Sequence, residues 1–175
     1  SSGCNVFIIH ARNAWLQGLS PKENRNIPPL RYDIVNQLKQ NFLDLDIIIN
    51  GGITRYEQIN EHLQHTDGVM LGREAYHNPY ILSEVDNRYY GVDEPIITRS
   101  DVLNYVIDYA QQQLNNDIYL KHITRHILGL FHGQPGARQW RRYLSEYAVK
   151  RDAPIDVIKK AAQLILMSAG QLSQR

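Results

Sequence analysis

The 175-residue sequence predicts a mixed fold, α/β plus all-α: βα units of a TIM-type (β/α)8 barrel followed by a small helical bundle. Three observations carry this. Short, unbroken apolar bursts recur up to about residue 90, each ending in a histidine or a glycine turn. Helical patterns lie between the bursts. From about Pro95 the bursts stop and helical patterning runs on.

The bursts are Val6-Phe7-Ile8-Ile9, ending in His10; Ile47-Ile48-Ile49, ending in Asn50-Gly51-Gly52; and Gly68-Val69-Met70-Leu71, ending in Gly72-Arg73. Continuous apolar runs of this length read as strands covered on both faces, as in a parallel sheet. Between them, Ile34, Val35 and Leu38 share a helical face, as do Tyr56, Ile59 and Leu63. Three strands do not close a parallel sheet, so residues 1–94 read as part of a larger barrel, which needs about 250 residues.

Residues 95–175 read as four helices with short connections. Thr98 and Asp101 have the spacing of a helix start, with Val102, Val106, Tyr109 and Ala110 on the following face. A second helix is expected over 117–130, ending at Gly133, and a third over 137–148 after Pro135-Gly136. Pro154 opens the fourth, whose stripe is Ile155, Ile158, Ala162, Ile165 and Leu166.

Apolar residues make up 43% of the chain, enough for a real core. No run approaches the roughly 18 apolar residues of a membrane span. The opening Ser1-Ser2-Gly3-Cys4-Asn5 has no charged segment ahead of Val6, unlike a signal peptide. A single cysteine rules out an internal disulfide and fits a reducing, cytoplasmic setting. No metal or membrane is implied, and nothing speaks for an oligomer.

Net charge is +1 but unevenly spread. Residues 1–95 hold 8 Lys/Arg against 12 Asp/Glu, and residues 96–175 hold 11 against 6. The stretch 121–151 has seven basic residues and one acid, Glu146. Such a patch suits a polyanion; a solvated helical face would carry the same charges.

Asn50-Gly51-Gly52 and Gly72-Arg73 follow successive strands. Glycines there let backbone N–H groups approach an anion, and the arginine adds a charged fork. Barrels often hold phosphate between their last two βα loops, although tight turns alone would use the same glycines. His10 ends the first strand on the same functional face, where it would donate to a phosphate or ring carbonyl, or serve as a core histidine. Arg12 would point into the same mouth. The long loop from Asn13 to Leu30 carries Lys22, Arg25 and three prolines. Arg138, Arg141 and Arg142 share one helical face, with Trp140 and Tyr143 beside them. Arginine with flanking aromatics suits RNA, unless the tryptophan belongs to the core.

These residues together resemble the A-type tRNA-dihydrouridine synthases. The resemblance rests on His10-Ala11-Arg12-Asn13-Ala14-Trp15, Gly18-Leu19-Ser20-Pro21-Lys22-Glu23-Asn24-Arg25, Ile49-Asn50-Gly51-Gly52-Ile53 and Asp67 to Tyr76. It continues in His122 to His126 and Gly136 to Leu144. It covers nearly the whole chain. The Leu-Ser-Pro-Lys-Glu-Asn-Arg loop and the Gly-Ala-Arg-Gln-Trp-Arg-Arg helix are specific to the A type.

The resemblance implies the C-terminal part of an FMN-binding barrel, about three βα units over residues 1–94, and a helical tRNA-binding domain over 95–175. It implies reduction of particular uridines in the tRNA D-loop to 5,6-dihydrouridine, with FMN as cofactor and NADPH as reductant. By similarity His10, Asn50, Gly51, Gly52, Gly72 and Arg73 bind FMN, the glycine turns at its phosphate end. Lys22, Arg25, Arg138 and Arg141 fall where the family contacts tRNA. The family's proton donor is a cysteine in an Asn-x-Gly-Cys-Pro motif on an earlier strand's loop, and a flavin-contacting lysine also lies earlier. Cys4 sits before the first strand with no proline after it, so a structural role is expected for it. No catalytic residue is expected in this chain, and no activity from the chain alone. Two other readings fit the residues: another FMN barrel acting on a free pyrimidine, or an RNA-binding module without redox chemistry.

Overall fold

The computed structural model describes residues 3–172, with a three-stranded sheet and helices. The chain forms two compact units, Ser1–Glu74 and Ala75–Arg175. The first is α/β. Its strands are β1 (Val6–His10), β2 (Asp46–Asn50) and β3 (Gly68–Met70), in the order β1-β2-β3 and all parallel. The register sets Val6 opposite Asp46, His10 opposite Asn50 and Asn50 opposite Met70. His10, Asn50 and Met70 therefore stand abreast at the C-terminal end of the sheet, each followed by its own loop.

A strand's side chains alternate between faces. Ile47 and Ile49 are buried, with Val35 and Ile59 from the flanking helices α2 (Tyr32–Asn41) and α3 (Tyr56–His62). Each fully buried aliphatic side chain contributes about 1.5–3 kcal/mol. On the other face Val6 and Ile8 are 50% and 57% exposed, and Met70 is 37% exposed. Within this α/β unit the sheet thus has an apolar face left uncovered. His10 belongs to this open face.

The N-terminal end of the sheet is fastened by one group. Lys39 Nζ lies 2.9 Å from Asp67 Oδ2 and donates to the carbonyls of Leu43 and Leu45. The same Asp67 oxygen accepts from the Ile47 amide at 2.8 Å. Helix α2 and the starts of β2 and β3 are tied together there, leaving the opposite ends to the loops.

The second unit is helical. It contains α4 (Arg73–His77) from its third residue, a 3₁₀ segment Pro79–Glu84, α5 (Val85–Tyr89) and α6 (Arg99–Leu114). There follow α7 (Leu120–Thr124), α8 (Ala137–Tyr147) and α9 (Asp156–Leu172). Its core centres on Trp140, fully buried among Phe131, Leu144, Ile158 and Ala161. The indole Nε1 donates to the Ile127 carbonyl at 3.1 Å, and Phe131 meets the ring edge-on at 4.9 Å. Gly136, in the left-handed region at φ 81°, starts α8 where a Cβ would come within 3.0 Å of Ile165 on α9.

Several expectations are met closely. Thr98 and Asp101 form a reciprocal capping box at the start of α6. Others are corrected. The helix expected over 117–130 is confined to Leu120–Thr124, and the chain then runs in turns to Gly133. The reason is close packing of backbone on backbone: a Cβ at Gly129 would stand 2.1 Å from the His77 carbonyl oxygen. In α9 the buried stripe is Val157, Ile158, Ala161 and Ile165, while Leu166 is exposed. In α6 Leu103 and Ala110 are buried and Tyr109 is exposed. Pro154 lies two residues ahead of α9. The units divide after Glu74, whereas composition changes near residue 95. Residues 75–94 join the helices because Tyr80 donates to the Ile97 carbonyl at 2.8 Å and carries the Arg99 guanidinium 3.8 Å over its ring.

Candidate phosphate site and basic helical face

Glycine is required at the end of β2. Gly51 has φ 129° and Gly52 φ 69°, both in the region that side chains disfavour. A Cβ on Gly52 would also stand 2.7 Å from Leu30 Cδ1. The turn is held from outside: Tyr32 Oη donates to the Gly51 carbonyl at 2.7 Å. Burial pushes the Tyr32 hydroxyl pKa up, which keeps it a donor. The Ala11 amide donates to the Asn50 carbonyl at 2.7 Å, carrying the β1–β2 pairing one residue past His10. Tyr32 escaped the sequence reading because its position at the start of an amphipathic helix looked sufficient reason for it.

Gly72 and Arg73 follow β3, whose Met70 pairs with Asn50. Space around Gly72 is open. Arg73 Nη1 donates to Asn26 Oδ1 at 2.5 Å and Nη2 to the Arg25 carbonyl at 3.3 Å. Arg12 reaches the same loop, donating to the carbonyls of Pro28 and Asn26. Asn26 was not singled out from sequence; nothing in a lone asparagine marks it as an arginine's partner. Two guanidinium groups thus gather beside His10. Burial lowers the His10 pKa first, and the positive charges of Arg12 and Arg73 lower it further. His10, Asn50, Gly51, Gly52, Gly72 and Arg73 therefore lie at one end of the sheet, in positive potential. A neutral imidazole there offers one N–H and one lone pair.

The loop above this end contains α1 (Pro21–Asn24). Ser20 and Glu23 make a capping box: the Glu23 amide donates to Ser20 Oγ at 3.3 Å, and the Ser20 amide donates to Glu23 Oε2 at 2.8 Å. Asn24 anchors the preceding chain through both halves of its amide, receiving from the Trp15 N–H at 2.8 Å and donating to the Trp15 carbonyl at 2.9 Å. Ser20, Glu23 and Asn24 are thereby spent on loop geometry, while Lys22 and Arg25 are exposed.

In the second unit Arg138, Arg141 and Arg142 are exposed along α8, opposite the buried line Ala137, Trp140, Leu144 and Ala148. None of the three makes an ion pair among the described residues. Trp140 is a core residue and does not face solvent, which corrects its pairing with the arginines as a stacking group. Tyr143 is half-buried against Tyr147, ring centroids 4.4 Å apart.

Cys4 is exposed ahead of β1, its Sγ 3.3 Å from the Val6 carbonyl oxygen. It lies six positions before His10, with β1 carrying the chain between them, about 20 Å at about 3.3 Å per residue. No helix among the described residues is long and apolar enough to cross a membrane.

A family model described as dihydrouridine synthase matches residues 1–166. A tRNA-dihydrouridine(20/20a) synthase of Shewanella oneidensis is 56% identical over 165 residues, covering 94% of this chain and 49% of that protein. Proteins of the same name from Vibrio vulnificus and Yersinia pestis are 55% identical over 159 residues and 52% over 162. They cover 91% and 93% of this chain, and 49% and 47% of those proteins. The chain spans about half the length of the curated relatives it matches.

Proposed function

The chain belongs to the dihydrouridine synthase family, and on that premise we propose that it serves in the reduction of specific D-loop uridines of tRNA to 5,6-dihydrouridine. In this reading the α/β unit supplies the final βα units of an FMN barrel, the helical unit supplies a tRNA-binding domain, and NADPH is the reductant. The observation that carries the cofactor half is the pair of glycine turns on hydrogen-bonded strands, β2 and β3, beside two guanidinium groups.

The residues present fit the phosphate of FMN. Gly51 and Gly52 have a backbone that no side chain would share comfortably, and Gly72 is open to approach. When bound, the flavin supplies hydride chemistry to the pyrimidine ring. The chain's own part is to position. Gly51, Gly52 and Gly72 present backbone N–H groups to the phosphate, and Arg73 neutralises its charge while gripping residues 25 and 26 of the loop above. Asn50 and His10, on the open face of the sheet, donate toward the flavin. Lys22 and Arg25 meet the tRNA backbone at the mouth, and Arg138 and Arg141 hold a second stretch of it, fixing its orientation.

The test is flavin retention. Arg73→Ala in the enzyme carrying this chain removes a charge-assisted contact worth roughly 1.5–3 kcal/mol, so FMN should bind at least tenfold more weakly. Dialysis followed by flavin absorbance reads this. FMN occupancy equal to that of the parent would remove Arg73 from the site.

A further inference from the structure

The loop over the glycine turns exposes apolar surface of an unusual kind. Trp15 is 48% exposed and Leu16 is 94% exposed. Single exposed apolar residues are ordinary. Here two are adjacent, and the backbone of the tryptophan is held at both its N–H and its carbonyl by the Asn24 amide. Asn24 in turn sits at the end of a short helix that the Ser20–Glu23 box caps. The tryptophan's backbone is thus held by the loop while its side chain is half exposed. Lys22 and Arg25, both exposed, flank Asn24 in the chain, and Arg73 ties the Arg25 carbonyl toward the end of β3.

We propose that Trp15, with Leu16 beside it, is a stacking platform for an unpaired base of the tRNA, with Asn24 as its positioning residue. This rests on the tRNA reading above. Charge selects the occupant: an exposed aromatic surface on a loop that also exposes Lys22 and Arg25 matches a nucleotide, which offers a π face and a phosphate within one unit. Stacking is indifferent to which base is present, so Trp15 would hold the strand next to the reacting uridine rather than choose that uridine.

The experiment measures tRNA binding against salt concentration, in the enzyme carrying this chain. Trp15→Ala should weaken binding roughly tenfold, as loss of one stacked base does, and leave the salt dependence unchanged, since no phosphate contact is lost. Trp15→Phe should keep most of the affinity. Lys22→Ala should instead flatten the log–log salt slope by about 0.7–0.9. If Lys22→Ala and Arg25→Ala weaken binding and Trp15→Ala does not, stacking is refuted and the tRNA reading stands. If none of the three affects binding, the loop is no tRNA contact and both readings of it fall. If Trp15→Ala lowers the thermal midpoint or changes the oligomeric state while binding is kept, the indole packs against protein and the proposal is overturned.

Discussion

Burial and two neighbouring cations oppose protonation of His10 and hold its pKa below the ordinary histidine value. The sign of the linkage follows. A histidine whose folded pKa is depressed adds stability that is present above its ordinary pKa and is lost as pH falls through the lowered value. A bound phosphate would reverse the electrostatics by offsetting Arg12 and Arg73. FMN should therefore raise the His10 pKa and take up protons in the window between the lowered and the ordinary value. Histidine-selective NMR titration checks this: the His10 midpoint should lie below the ordinary histidine value without flavin, and move up with it. A midpoint unmoved by FMN would place His10 out of reach of the phosphate. The residue types at this site were legible in the sequence, because Asn-Gly-Gly and Gly-Arg directly follow apolar bursts. The groups that hold them were not. Tyr32 and Asn26 act across 19 and 47 residues of chain, on Gly51 and Arg73, and no local pattern announces such pairs.

Helix α8 shows what periodicity can and cannot reveal. Ala137, Trp140, Leu144 and Ala148 recur at three and four and are buried, and Arg138, Arg141 and Arg142 fall on the remaining arc. In the sequence the aromatics favoured a core role for Trp140, while the clustered charge favoured RNA. The structure settles it: the indole is fully buried, edge-on to Phe131, and its Nε1 donates to the Ile127 carbonyl. The arginines are then unpaired surface charge, and their role is a binding question. Losing two phosphate contacts should cut the log–log salt slope of tRNA binding by about 1.5. Arg138→Ala combined with Arg141→Ala should accordingly raise the tRNA Kd strongly at low salt and less at high salt, with flavin content unchanged. Lys159→Ala with Lys160→Ala, on the exposed side of α9, is the comparison for general loss of positive charge. Equal effects from the two pairs would make the α8 face ordinary solvated surface. The expected helix over 117–130 failed for a related reason: its sequence is helix-compatible, but contact between Gly129 and the His77 carbonyl, fifty residues apart, bends the chain into turns.

At the scale of the molecule, the open sheet face bears most on activity. A parallel sheet is ordinarily covered on both sides, and this one leaves Val6, Ile8 and Met70 bare on the face that carries His10. A closed barrel would turn that face inward; the three strands themselves were legible in the sequence as apolar bursts. In the proposed reaction, reduction of a uracil ring needs a hydride on one carbon and a proton from an acid on the other. In these 175 residues the one thiol is Cys4, at the opposite end of β1 from the glycine turns. A group about 20 Å from the mouth cannot protonate a base held there. The 175-residue chain, given tRNA, FMN and NADPH, should therefore form no dihydrouridine. Cys4→Ala in an active enzyme carrying this chain should leave kcat and its pH profile unchanged. Dihydrouridine formed by the chain and abolished by Cys4→Ala would show that the thiol reaches the substrate, and would overturn the placement of the reacting uridine at the His10 end of the sheet.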